Sequence, residues 1–208
     1  MRVATLVPLL LLPGLACAAE SAVYAGIAWH EVGRELGWDF REEEAQAPDL
    51  LGAQFRYEKP LSAALLEVEL LALKGSSKDG SAARTNLATI WVWEPVSSPS
   101  GSLQLGAGLG LYDYASEVKG YLYSESSSRG VSLHLRLGFT GRFSEKLHLR
   151  GAWELSQSEM QLVFSGGRDW NHSGRLALEK QSGAWRFQAG VQGDEWSRGL
   201  FLLAGYAF

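Results

Sequence analysis

The chain has 208 residues, 46% apolar and 20% charged, with a formal net charge of −4, 8 Trp, 7 Tyr, 24 Gly and a single Cys. This mild acidic excess offers no electrostatic footprint for nucleic acid, one cysteine rules out an intramolecular disulfide framework, and beyond the N-terminal region nothing reaches the roughly 18 unbroken apolar residues of a membrane helix. Abundant Gly and aromatic residues without long apolar runs suit a soluble β-sandwich or a barrel with one lipid-facing side, so periodicity has to decide.

Residues 1–18 read as a secretory signal peptide. Arg2 supplies the positive start, Leu6 to Leu15 form an apolar stretch interrupted by Pro8 and Pro13, and Ala16, Cys17 and Ala18 make a small-x-small cleavage site. Lipidation of Cys17 is disfavoured, because Leu15 sits one place too close to it. Cleavage after Ala18 removes Arg2 and the only cysteine, leaving a mature domain, 19–208, with a net charge of about −5.

Ten later segments alternate at period two, most near the roughly 9–11 residues of a tilted spanning strand. Val23 to His30 puts Val23, Ala25, Ile27 and Trp29 on one side. Leu51 to Glu58 sets Leu51, Ala53, Phe55 and Tyr57 against Gln54, Arg56 and Glu58. Ala64 to Leu73 sets Leu66, Val68 and Leu70 against Glu67 and Glu69. Asn86 to Glu94 is ambiguous, with Trp91 and Trp93 on one side and Ile90 and Val92 on the other. Leu103 to Tyr112 alternates leucines with Gly106, Gly108 and Gly110. Val131 to Thr140 sets Leu133, Leu135 and Leu137 against His134 and Arg136. Leu147 to Ser156 opposes Leu149, Trp153 and Leu155 to His148, Arg150 and Glu154. A short, weak segment follows around Arg175 to Lys180. Trp185 to Gln192 opposes Phe187, Ala189 and Val191 to Arg186 and Gln188. Gly199 to Phe208 closes the series, with Leu200, Leu202, Ala204, Tyr206 and Phe208 on one face.

Connections alternate in length. Lys59–Leu61, Ser144–Lys146 and Gln181–Ala184 are tight and 95–102 is modest, whereas 31–50, 74–85, 113–130 and 157–174 read as long loops on the opposite side. A sandwich has no reason to segregate its loops by parity; a membrane barrel does. The expected fold is therefore all-β: a transmembrane antiparallel up-and-down barrel of ten strands, or eight if the fourth and eighth segments are not strands.

The apolar face must meet lipid, since a basic residue at mid-depth there costs roughly 2–4 kcal/mol. The inward face then carries Arg56, Glu58, Glu67, Glu69, His134, Arg136, His148, Arg150, Glu154 and Arg186. A hairpin turning at Glu145 places Arg136 opposite Glu154, and Arg56 is similarly placed to Glu67 across the Pro60 turn. Because an unpartnered charge in a narrow lumen is penalised, these residues are expected to close it as a salt-bridge network. Gly106, Gly108 and Gly110 line either a ligand groove or, as favoured here, clearance for side chains of the opposite wall.

The terminal alternation ending in Phe208, together with the leader, resembles the bacterial outer-membrane β-barrel proteins, with a general likeness in architecture to the barrel of the outer-membrane protein A family. The resemblance implies residence in the outer membrane of a Gram-negative cell, contact with its lipids and lipopolysaccharide, and insertion by the barrel-assembly machinery, which reads the pattern carried here by Tyr206 and Phe208. A monomer is the expected state, and no nucleic acid and no cofactor are expected.

Some barrels of this membrane are enzymes. His172 and Ser173, with Asp169, Asp194 and Glu195 nearby, could make a Ser–His–acid set, but neighbours in a strand point to opposite faces. The lipid A deacylases carry His-x-Ser; Ser132-x-His134 is the reverse order. Palmitoyl transferases need an apolar interior, which this chain lacks. Glu42, Glu43 and Glu44, flanked by Asp39 and Asp49, could hold a divalent cation, though a solvated loop explains them more simply. The expected role is non-enzymatic, structural or surface-interacting; the alternatives are a narrow channel for ions or small solutes and a lipid A-modifying enzyme.

Overall fold

The computed structural model describes residues 20–32, 48–62, 64–118, 124–158, 170–194 and 197–208. Its strands are Ala22–Val32 (β1), Asp49–Pro60 (β2), Leu65–Ser77 (β3), Gly80–Ser98 (β4), Gly101–Val118 (β5), Ser124–Arg142 (β6), Leu147–Ser158 (β7), Asn171–Ser182 (β8), Trp185–Asp194 (β9) and Ser197–Ala207 (β10). Each pairs antiparallel with its chain neighbours, and β1 pairs with β10 to close the ring. The fold is an all-β, closed, up-and-down barrel of ten strands. Closure leaves no sheet edge, so every strand finds backbone partners on both sides.

The period-two pattern explains the two-faced wall. On β5, Leu103, Leu105, Leu109 and Leu111 are exposed on the outside, while Gly106, Gly108 and Gly110 are buried inside. From Leu103 to Leu111 is about 27 Å along a strand at about 3.4 Å per residue, or roughly 20 Å of barrel height at a tilt near 40°. Above this belt, at the end opposite the chain's Ala22 and Phe208 (the far end), the outer face turns polar. Arg129 Nη2 meets Asp113 Oδ2 at 2.6 Å and Arg198 Nε meets Glu31 Oε2 at 3.1 Å, all on exposed side chains. At the terminal end, Trp185 stacks on Phe187 at 6.4 Å and takes Tyr206 edge-on at 5.4 Å.

The fourth and eighth segments are full strands, of 19 and 12 residues. On β4 it is Ile90 and Val92 that face inward, buried, while Trp91 and Trp93 are exposed. The ambiguity arose because the interior packs apolar side chains too: Tyr24, Leu71, Leu73, Phe201 and Leu203 are buried on the inner face. Pro95, which has no N–H to give a ladder, falls where the β4–β5 register shifts between Trp93 and Val96. The tight turn after β8 uses Gly183 at φ +61°, a left-handed conformation that glycine adopts without steric penalty.

Two of the expected long loops are strand instead. Residues 74–85 continue β3 and β4 to a turn at Lys78–Asp79, and most of 113–130 extends β5 and β6 as far as Val118 and Ser124. Beyond the belt the outer face no longer has to be apolar, so the alternation fades although backbone pairing continues. Residues 1–18 and Glu42, Glu43 and Glu44 lie outside the described residues.

Candidate functional site

The inner wall is where charge collects. Near the terminal end, Arg56 on β2 donates to Gln188 Oε1 at 2.9 Å, lies 3.6 Å from Glu58 and places its guanidinium 5.4 Å from the centre of the Tyr24 ring. Arg150 on β7 reaches Glu58 at 2.9 Å and Glu179 at 3.1 Å. Glu179 also accepts from the Tyr24 hydroxyl at 3.2 Å, and Arg186 donates to that hydroxyl at 3.4 Å.

At mid-height the charges cross the lumen. Arg175 on β8 lies 2.6 Å from Glu69 and 3.4 Å from Glu67, both on β3, the diametrically opposite wall of the ten-strand ring. Arg136 on β6 pairs with that same Glu67 and, at 2.8 Å, with Glu154 on β7. Gln54 donates to Glu69 at 2.7 Å. Nearer the far end, Arg84 on β4 pairs with Asp194 on β9, Asp194 accepts from Ser197 Oγ at 3.1 Å, and Ser197 lies 3.0 Å from His30 Nδ1. Buried ions persist only with partners, and each of these arginines has one.

Arg56, Glu67, Glu69, His134, Arg136, Arg150, Glu154 and Arg186 thus all sit on the inner face. Arg136 and Glu154 are register partners across the β6–β7 hairpin. The expected opposition of Arg56 and Glu67 is corrected: Arg56 faces Glu69 and Glu67 faces Glu58, because β2 runs through Pro60, which pairs with Leu65, and the turn is centred further on. The inner glycines also differ from expectation. The space over Gly106 and Gly110 is filled by Ile90, Arg136, Ser132 and His134 from the adjacent strands, not from the opposite wall.

Sequence reasoning left Arg84, Arg175 and Glu179 out of the lumenal network, and offered Asp194 only as an acid for His172 and Ser173. Arg175 and Glu179 carry the inward parity of β8 and were discoverable once that segment is a strand. Arg84 fell within the expected loop 74–85, where no inward parity is read. His172 and Ser173 do point apart: His172 is exposed and stacks on Trp153 at 5.7 Å, while Ser173 lines a lumenal cavity. Asp169 and Glu195 lie outside the described residues. Among the described residues no group of three metal-binding side chains comes together.

No protein-family model matches the chain, and no curated protein sequence matches it. Solved structures do. The chain is similar to the translocator domain of the autotransporter NalP from Neisseria meningitidis, at 13% identity over 91% of this chain and 88% of that one, with a TM-score of 0.53. It is similar to the β domain of the Bordetella autotransporter BrkA, at 12% identity over 91% and 99%, with a TM-score of 0.51. Neisserial surface protein A aligns over 90% and 97% at 11% identity, with a TM-score of 0.47. At these identities the likeness concerns the fold: this chain has the fold of small bacterial outer-membrane β-barrels.

Proposed function

We propose that the protein resides in the bacterial outer membrane as a sealed, non-conducting barrel with a structural or surface-interaction role, its far end turned outward. Lipopolysaccharide and the surrounding lipids are its partners on the belt and rim, and the barrel-assembly machinery engages the last strand through Tyr206 and Phe208. The observation that carries the reading is the chain of charged contacts running from Arg56 through Glu69, Arg175, Glu67 and Arg136 to Glu154, which links opposite walls at mid-height. An ion crossing there would have to displace guanidinium–carboxylate pairs whose partners have little water to replace them. The role proposed requires neither transport nor catalysis.

Planar-bilayer recording of the refolded protein tests this. The expected trace is flat, with no steady single-channel steps under applied voltage. Reproducible unitary currents from the unmodified chain would overturn the sealed lumen and favour the narrow channel.

A further inference from the structure

One inner-wall arrangement goes beyond what charge neutralisation needs. Ser132 and His134 share the inner face of β6, and Ser132 Oγ lies 2.7 Å from His134 Nε2. His134 Nδ1 lies 2.7 Å from Glu154 Oε1, while Arg136 holds the other oxygen, Oε2, at 2.9 Å through Nε. Glu154 is thereby anchored on one side and orients the imidazole on the other. With the Nδ1 proton directed at Glu154, the Nε2 lone pair is left to accept the serine proton.

The wall makes room for this set. Gly110 on β5 is the register partner of Ser132, and a Cβ there would lie 2.5 Å from His134 Nε2 and 2.8 Å from Ser132 Oγ. His134 and Glu154 line a cavity of about 120 Å³ towards the far end, walled also by Arg84, Asn86 and Asp194. On β5, at the next inward position, the Tyr112 hydroxyl is buried with no hydrogen-bond partner, a donor not yet used.

The geometry points to Ser132 as an activated nucleophile, with His134 as its general base and Glu154 as the positioning residue. It would act on short-chain, acetyl-sized esters of polar alcohols entering from the far end. This adds an activity to the structural role and does not depend on it. Ser132 Oγ bonds to the ester carbonyl carbon as its proton passes to His134 Nε2. The C–O bond to the alcohol then breaks, and the departing alcohol takes that proton. Water, giving a proton to His134, attacks the acyl-serine; the carboxylic acid leaves and Ser132 regains its proton. Ser132 itself is only 8% exposed and stands outside the lining of that small, charged cavity, so the acyl group must be small enough to reach its Oγ alongside His134.

The test uses the refolded full chain in detergent, a small alkyl fluorophosphonate probe with mass analysis of the modified peptide, and p-nitrophenyl acetate beside p-nitrophenyl dodecanoate. Phosphonylation is expected at Ser132, together with acetate-ester hydrolysis that Ser132→Ala abolishes and dodecanoate hydrolysis that stays at background. His134→Gln should slow labelling by on the order of 10²-fold or more while the heat-dependent gel shift of the folded barrel persists. A folded barrel that leaves Ser132 unlabelled, or labelling that His134→Gln does not slow, would overturn the assignment. So would acetate-ester hydrolysis surviving in Ser132→Ala. None of these readouts measures conductance, so they succeed or fail independently of the sealed lumen.

Discussion

Tyr24, Tyr112 and Phe139 each lie across the ladder from a glycine, Gly205, Gly130 and Gly151 respectively. A Cβ on those glycines would come within 2.4 Å of Tyr24 Cδ1, 2.9 Å of the Tyr112 hydroxyl oxygen and 2.2 Å of Phe139 Cε1. Each ring covers backbone that glycine leaves bare, the device that restores packing in glycine-rich strands. For Tyr24 the position also sets chemistry, since the same ring lies beside Arg56 and its hydroxyl reaches Glu179. Gly205→Val is therefore expected to destabilise the barrel by about 1–3 kcal/mol, as overpacking of a filled interior does, read as a lower midpoint of heat-dependent gel mobility. Gly174→Ala, where a Cβ meets nothing within 4 Å, should leave that midpoint unchanged. Charge follows the same logic. Arg136→Leu takes the guanidinium shared by Glu67 and Glu154, leaving Glu67 with Arg175 at 3.4 Å and Glu154 with His134 at 2.7 Å, and a cost of about 3 kcal/mol in urea unfolding from lipid vesicles is expected. Arg129→Ala, on the exposed outer rim, should cost about 1 kcal/mol or less. Equal costs at the two positions would contradict the lumenal assignment. Of these residues, Arg136 and Glu154 were legible because one hairpin fixes their register. The cross-barrel partners Arg175 and Glu67 were not, because nothing local in a sequence tells which walls of a ring stand opposite. The Ser132–His134–Glu154 set was half legible: spacing of two puts Ser132 and His134 on one face, but the contact to Glu154 runs diagonally across the ladder.

At the scale of the strand, alternation carried most of the fold. It identified β5, β6 and β9 plainly, since their outer positions are mostly Leu, Phe, Trp, Val or Ala and their inner ones mostly Gly, Gln, Ser, His or Arg, and β10 through its outer Leu200, Leu202 and Tyr206, although Phe201 and Leu203 face inward. It weakened on β4, whose Ile90 and Val92 face a packed interior, and on β8, whose N-terminal end lies above the apolar belt. It failed at 74–85 and 113–130, where strands outlast the membrane-facing pattern. Leu135→Arg, on the outer face at the belt, is expected to cost roughly 2–4 kcal/mol of folding stability in vesicles; a negligible cost would mean that this face does not meet hydrocarbon. The last strand has a separate test. Replacing Tyr206 and Phe208 with Ala should lower the amount of protein assembled into outer membranes in cells while leaving refolding in detergent largely intact. An equal loss in both settings would make the two rings ordinary packing groups and not an assembly signal.

The whole molecule joins a wall that is apolar outside with an interior that is charged and partnered. Neither half stands alone: arginines of the inner face could not be buried without the facing carboxylates, and the outer leucines would not remain exposed in water without inviting aggregation. Ten strands form a ring narrow enough for Arg175 to reach Glu69 across it, so the proposed seal rests on the size of the barrel as much as on the residues that make it. The most direct measurement is a single-cysteine spin-label scan of the refolded protein in vesicles, with Cys17, the only natural cysteine, removed. Labels along β5 and β6 should alternate strictly, with 103, 105, 109, 133, 135 and 137 colliding with oxygen dissolved in the bilayer, and 104, 134 and 140 shielded from it. Accessibility to a water-soluble nickel complex at the outer leucine positions, or no alternation at all, would contradict the account.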